Sequence, residues 1–499
     1  MNDAPHPADP AFDEAGAPVP RPTTLGELRD SGWHSRTVKE ELRHNLLARL
    51  GEGNNVFPGV VGFEETVLPA VENAILAGHD LLFLGERGQA KTRMARLLVG
   101  LLDDALPVVR GGELNDDPFD PVSPAARAIV AEAGDETPVD WLPRDRRYAE
   151  KLATPDITIA DLIGEVDPIK DAEGRYLSDV GTLHYGLIPR ANRGIFALNE
   201  LPDLAERIQV GLLNILEERD VQVRGYTIRL ALDLFVVASA NPEDYTSRGR
   251  IITPLKDRLG SQIRTHYPRT LDHEIAIMRQ ESVAFPAEPG VPDVHDPRFM
   301  EEVLAELTHL ARRSPEVNQR SGVSVRVSTA NLEVIRAAAL KRAVRLGEAA
   351  AAPRVSDLGA VMASTAGKIE LETAGDDSPE ERVVERLITR ALYATWNRLL
   401  DADDLAEVVR AFEGGLVVET GERVPSREFV RWAREVPGLS KAIARLAARE
   451  EDRTGTVGAK ARAALPAFIA SGVEFVLEGL HLNRRLNKDR GTAGPVYRR

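Results

Sequence analysis

Residues 81–92 read LLFLGERGQAKT and continue as RMARLLVGLL over 93–102. A short run of nothing but apolar residues is what a strand covered on both faces requires. The residues after Thr92 have the spacing of a helix, so the chain turns from strand into helix through GERGQAKT. The pattern GxxxxGK[ST] puts backbone N–H groups around a diphosphate at a helix amino terminus, where unpaired donors and the helix dipole favour anions. In that arrangement Lys91 reaches the β- and γ-phosphates and the Thr92 hydroxyl binds Mg2+. Gly85 and Gly88 are the glycines on which the loop depends. One position departs from the pattern, Ala90 in place of the last glycine. We expect the backbone there to have entered the right-handed helical region, where a methyl group is admissible. The plainer alternative is a strand, turn and helix whose lysine and threonine are surface residues.

Further along, two more strands end in polar residues. In GIFALNELPDL, 194–204, the apolar run 195–198 stops at Asn199 and Glu200. In LFVVASANPEDY, 234–245, the run 234–238 leads to Asn241. Ligands of parallel sheets bind beyond the carboxyl ends of the strands, so these residues face the loop. Glu200 is the candidate base that polarises the water attacking a γ-phosphate. Asn241 can hold that water or sense the phosphate. Asn199 stands where an aspartate commonly secures the metal's water shell. An amide can accept a hydrogen bond from such a water but brings no charge. A unit charge lost about 5 Å from the metal is worth roughly 3 kcal/mol or more at an effective dielectric near 20. Nucleotide binding is therefore better supported by these residues than fast hydrolysis.

Around this nucleus the chain has 499 residues, 63 basic and 78 acidic, for a formal charge of −15, and no cysteine. That length suggests several domains. The absence of cysteine excludes disulfides, zinc-thiolate sites and thiol catalysis, and fits a cytoplasmic location. The negative balance argues against nucleic acid as a partner. No apolar run reaches the roughly 18 residues of a spanning helix, so membrane insertion is not expected. Residues 1–24, rich in Pro, Ala and Asp, read as a disordered tail. Residues 25–55 read as one polar helix and a linker, 56–270 as alternating strands and helices, 285–375 as helical, and 376–499 as a helical extension following the acidic AGDDSPEE, 374–381. We expect residues 382–490 to be entirely helical, and the basic end HLNRRLNKDRGTAGPVYRR, 481–499, to be a frayed, solvated tail. The ten histidines show no metal-binding spacing; His184 and His266 read as packing or hydrogen-bonded residues.

Several segments, in order, resemble an AAA+ ATPase, and more narrowly the clade of the magnesium chelatase ATPase subunit and the MoxR-type proteins. They are FPGVVGFEE (57–65), GERGQAKT (85–92), DLIGEVDP (161–168), GLIPRANRGIFALNELPDL (186–204), LLNILEERDVQVRG (212–225), VVASANPEDY (236–245) and ITPLKDRLG (252–260). The resemblance implies an α/β P-loop core with a parallel sheet flanked by helices, an all-α lid, and ATP with Mg2+ as cofactors. It makes Gly85, Glu86, Arg87, Gly88, Gln89, Ala90, Lys91 and Thr92 the Walker A loop and Asn199-Glu200 the Walker B pair, with the metal met by Thr92 and, through water, by Asn199. Asn241 becomes the first sensor. Arg258 becomes the arginine finger that reaches a neighbouring subunit's γ-phosphate, with Arg248, Arg250 and Arg264 as rivals. Arg326, just before a Ser328 or Thr329 helix cap, becomes the second sensor, with Arg320 and Arg336 as alternatives. Val61 and Gly62 line the adenine site.

The resemblance further implies a ring, a hexamer, that remodels or activates a partner protein carrying a von Willebrand A domain. The alternative is an ATP-binding scaffold that hydrolyses little because of Asn199. A third reading, a sigma-factor activator of the related branch, lacks the GAFTGA loop and a convincing terminal helix-turn-helix. Residues 161–186 resemble an insertion of the chelatase clade. Residues 103–148, rich in proline and acidic groups, have no assigned place and read either as a partner-facing loop or as a solvated excursion.

Overall fold

The computed structural model describes residues 21–166, 183–218, 220–223, 226–241, 249–285, 288–318, 322–371, 380–450, 465–492 and 494–499. The chain forms two compact units, Met1–His266 and Tyr267–Arg499.

The first unit is built on five parallel strands: β1 (Leu81–Leu84), β2 (Tyr148–Leu152), β3 (Gly194–Asn199), β4 (Leu234–Ala240) and β5 (Ser261–Arg264). Their spatial order is β5-β1-β4-β3-β2. Strands β1, β3 and β4 lie inside and are apolar almost throughout, as a sheet covered on both faces demands. Leu81, Phe83, Ile195, Ala197, Phe235 and Val237 point into one core with Val71 and Met94. Leu82, Phe196, Leu198, Val236 and Ala238 point into the other with Ile208 and Leu255. The two edge strands, YAEKL and SQIR, have no apolar run; each has a strand neighbour on one side only and is less buried than the inner strands. In register, Leu84 lies beside Ala240, and Leu152 beside Asn199. The carboxyl ends of the strands therefore finish at one level, which brings residues 85, 199, 200 and 241 together.

The amino-terminal region departs from expectation. Of the tail assigned to 1–24, residues 1–20 lie outside the described residues; the carbonyl of Thr23 accepts from Val139 N–H at 2.8 Å, and Thr24 caps a short helix, Leu25–Asp30. The single polar helix is in fact two, that one and α1 (Val38–Gly51), the second closed by a Thr37–Glu40 capping box. Buried Glu41 of α1 takes both terminal nitrogens of buried Arg147 at 2.6 Å and the Asp103 N–H at 2.7 Å. This pins the start of β2. Residues 103–148 are neither a loop nor an excursion: Ala105–Val109 and Val139–Pro143 pair as an antiparallel hairpin around a helix, Pro124–Ala133.

Among the described residues the second unit has one large hydrophobic core running from Ile275 to Tyr497, and a small separate cluster of Ala339, Ala343 and Ala351. Its helices include Leu271–Glu281, Arg298–Arg313, Val325–Leu346, Glu380–Leu399, Ser426–Glu435, Leu439–Ala448 and Pro466–Leu482. Phe299 packs against Phe468 and Phe475, with ring centroids 5.9 and 4.9 Å apart. Residues 382–490 are not entirely helical, and the basic end is not frayed. Asn487–Arg490 and Pro495–Arg498 form a hairpin that pairs with Val418–Glu419. Tyr497 is the anchor, buried with its hydroxyl donating to Glu478, which also accepts from Lys488 at 2.7 Å. The composition of NKDR and PVYR hides this, since the hairpin buries one aromatic ring and leaves its charges in water.

Candidate nucleotide site

At the end of β1 the chain enters the loop under tight constraint. A methyl group on Gly85 would sit 1.9 Å from Thr265 Oγ1 and 2.3 Å from Gln89 Oε1, so only glycine fits. Gln89 is itself fixed, its Oε1 accepting from Glu86 N–H at 3.1 Å and Thr265 Oγ1 at 2.7 Å. Gly88 has φ +77°. Ala90 overturns the expectation of a right-handed backbone: it has φ +55° and ψ +15°, and the helix α2 (Lys91–Leu97) begins only after it. The missing glycine therefore leaves an alanine in the left-handed region, at a cost of about 1–2 kcal/mol for an L-residue.

Lys91 is buried at the start of α2. Its ammonium donates to the carbonyl of Gly85, to that of Glu86 at 3.0 Å, and to Asn241 Oδ1 at 2.6 Å. Asn241 in turn donates from Nδ2 to Glu200 Oε2 at 2.8 Å. The lysine at the start of α2 and the asparagine and glutamate just beyond β4 and β3 thus form one hydrogen-bonded chain. Glu200 has φ +56° and lies half-buried just beyond β3. On the other side, Thr92 Oγ1 donates to Asn199 Oδ1 at 3.4 Å, and Ser239 Oγ donates to the same oxygen at 3.2 Å.

Asn199 is not isolated from charge. Its Nδ2 donates to Glu150 Oε1 on edge strand β2 at 2.7 Å. Arg96 holds Glu150 through Nε at 2.8 Å and Nη2 at 3.1 Å, and the Tyr148 hydroxyl donates to it at 3.1 Å. Hydrogen bonds from Arg96 hold the Glu150 carboxyl below its ordinary value, and burial, with Glu150 beside it, pushes the Tyr148 phenol well up. The Glu150 carboxylate is thus ion-paired with Arg96 while it accepts from Asn199.

A cavity of about 420 Å³ opens beside the loop, lined by Leu84, Gly85, Glu86, Gln89, Lys256, Arg264 and Thr265. Arg264, a rival for the arginine finger, lines this cavity in the same subunit. Arg250 is exposed and lies 3.7 Å from Glu206. Arg248 and Arg320 lie outside the described residues. Arg258 is exposed at the last turn of the helix Thr253–Arg258, and Arg87 is exposed in the loop. Val61 and Gly62 are half-buried; Gly62 has φ +82° and its N–H donates to Glu64 at 3.0 Å. Arg326 is exposed in the second unit. The helix there starts earlier than expected, at Val325 with Ser324 as its cap, so Arg326 is its second residue. Arg336 is held by Asp296 at 2.8 Å. His266 packs edge-on against Phe63 and shares a 2.8 Å hydrogen bond with Thr66. His184 is exposed on a strand, Leu183–Tyr185.

Among the described residues no group of three or more His, Asp or Glu side chains is placed to hold a metal ion. The oxygen donors Thr92 and Asn199 suit Mg2+, which takes few protein ligands and keeps its waters when nucleotide phosphates share it.

Residues 173–261 match the family model described as the Sigma-54 interaction domain. The magnesium-chelatase subunit ChlI of Oryza sativa subsp. indica is 28% identical over 240 residues, covering 47% of this chain and 54% of its own. The ChlI subunit of Chlamydomonas reinhardtii is 29% identical over 220 residues, covering 42% and 49%. The chain thus spans about half the length of the curated relatives it matches. Over a little under half of its length this chain is similar to magnesium-chelatase ChlI subunits. A cryo-EM-based structure of the complex between subunits BchI and BchD of magnesium chelatase is 21% identical, covers 66% of this chain and 98% of its own, and has a TM-score of 0.34. Among the described residues no helix is long and apolar enough to cross a membrane.

Sequence reasoning passed over Glu150, Ser239 and Thr265 in this candidate site. Ser239 and Thr265 were in reach, since both sit at strand ends beside recognised motifs. Glu150 was not, because nothing in YAEKL marks the strand on which it lies.

Proposed function

We propose that this chain binds ATP with Mg2+ at residues 85–92 and hydrolyses it, using the energy to remodel or activate a partner protein. The observation that carries the reading is the hydrogen-bonded chain from Lys91, at the start of α2, through Asn241 to Glu200, just beyond the adjacent parallel strands β4 and β3. The loop amides and Lys91 bind and orient the phosphates. Asn241 links Lys91 to Glu200, so the carboxylate is held at a fixed distance from the phosphate-binding group. Glu200 takes a proton from the attacking water. Mg2+, when bound through Thr92 and the water-linked Asn199, neutralises charge on the phosphate oxygens. Arg264 and Lys256 add positive charge to the neighbouring cavity.

Assembly follows from Arg258. A guanidinium stabilises charge developing on a transferring phosphoryl group, and this one, exposed at a helix end, serves the site of an adjacent copy in a ring, which we take to be a hexamer. Arg326 is the arginine of the second unit we assign to the nucleotide, and Val61 and Gly62 the backbone beside its base. The partner is a protein with a von Willebrand A domain, and the location is cytoplasmic. The test is steady-state turnover with calorimetry of ATP binding. Wild type should bind and turn over ATP, Glu200→Gln should bind without turnover, and Lys91→Ala should do neither. Tight binding by wild type with negligible turnover would instead favour the ATP-gated scaffold, the reading that the amide at Asn199 supports.

A further inference from the structure

A side-chain amide can face a cation in two ways, with its oxygen or with its NH2 group. Only the first can accept a hydrogen bond from water held by a metal. At Asn199 the partners of Oδ1 are the hydroxyls of Thr92 and Ser239. Hydroxyls donate or accept, so they would tolerate either orientation. The group that discriminates is Glu150, whose ionised carboxylate only accepts. At 2.7 Å from Nδ2 it leaves the NH2 group no other stable side to face. Glu150 is itself immobilised by two hydrogen bonds from Arg96 and one from Tyr148. It stands on the strand next to β3, opposite Ala197.

We propose that Glu150 is a positioning residue for the cation site: it locks the Asn199 amide with its oxygen toward Thr92, and does so as a carboxylate itself ion-paired with Arg96. The inference rests on the nucleotide reading above and deepens it. It also gives the Asn199 departure a physical sense. An aspartate at 199 would set two carboxylates against each other, whereas an amide donates to Glu150 and keeps its oxygen free to accept.

The experiment measures binding of a fluorescent ATP analogue to the full chain, first in EDTA and then across a titration of free Mg2+. Affinity in EDTA should be the same for wild type and Glu150→Gln, which also shows that the variant is folded. The Mg2+ concentration giving half of the metal-dependent gain should rise by about 10-fold or more in Glu150→Gln, the usual size of such an outer-shell loss. The double variant Glu150→Gln with Asn199→Asp should recover most of that loss, since a carboxylate needs no orienting partner. Asn199→Asp alone should bind Mg2+ no better than the double variant. A half-effect concentration in Glu150→Gln within twofold of wild type overturns the proposal, as does a loss that Asn199→Asp fails to reverse. If wild type binds no nucleotide in either condition, the nucleotide reading falls, and this inference with it.

Discussion

Replacing Ala90 by glycine should stabilise the first unit, although glycine at a helix start is ordinarily counted as a loosening change. The reason is the backbone at 90, which has φ +55° and ψ +15° immediately before α2. An L-residue loses about 1–2 kcal/mol there relative to glycine. Alanine is also among the poorest residues at a helix cap, and glycine is better. Against this, glycine adds freedom to the unfolded chain worth about 0.4–1 kcal/mol. The balance is a gain of about 0.5–1 kcal/mol, or a rise of about 1–4 °C in the melting temperature of a unit this size. Gly88, two residues earlier at φ +77°, supplies the mirror experiment: Gly88→Ala should destabilise by a similar amount. Scanning calorimetry of the full chain without nucleotide reads both. A lower melting temperature for Ala90→Gly, or a higher one for Gly88→Ala, would refute the assignment of a left-handed backbone to this loop.

Other outcomes follow from the same physics. In the second unit, burial would raise the Glu274 carboxyl, but His309 3.5 Å away, the charge and hydrogen bonds of Arg312 and the hydrogen bond from Ser328 bring it down to about 2. A depressed carboxylate stabilises the fold above its unfolded value of 4.5 and stops doing so as pH falls toward 2, a contribution of about 3 kcal/mol. Glu274→Gln should flatten the acid limb of a denaturation curve taken across that window. Glu41→Gln leaves Arg147 buried without its counter-charge and should cost about 3–5 kcal/mol in denaturant unfolding. Gly479→Ala would place a methyl 2.0 Å from the Trp396 ring; overpacking should cost about 1–3 kcal/mol or more and alter the near-ultraviolet circular dichroism of that tryptophan. For the ring, Arg258→Ala and Lys91→Ala should each lack turnover alone and regain part of it when mixed, because a mixed assembly pairs an intact loop with an intact guanidinium.

How far the sequence could be read depended on whether burial left a mark on composition. The inner strands β1, β3 and β4 announce themselves as LLFL, GIFAL and LFVVA, and their order in the chain fixes which polar residues sit at their ends. Lys91, Asn199, Glu200 and Asn241 were legible for that reason. The edge strands YAEKL and SQIR carry charge on a half-exposed surface and look like loop, so Glu150 went unseen with the strand that bears it. The terminal hairpin was missed in the same way: one buried ring, Tyr497, holds a segment whose other side chains are mostly charged. Ala90 shows a different limit, since composition does not report the sign of φ. Arg326 and its cap shifted because Ser324, Ser328 and Thr329 are all competent caps, and only packing selects Ser324.

The shared core of the second unit has a practical sequel. Phe299, near the start of the Arg298–Arg313 helix, rests on Phe468 and Phe475 of Pro466–Leu482. A shortened chain ending in the acidic stretch around residue 375 would keep the earlier helix and discard the rings that shelter it, presenting a greasy surface to solvent. The two helical stretches that look separable on paper will melt, and tolerate surgery, only as one piece.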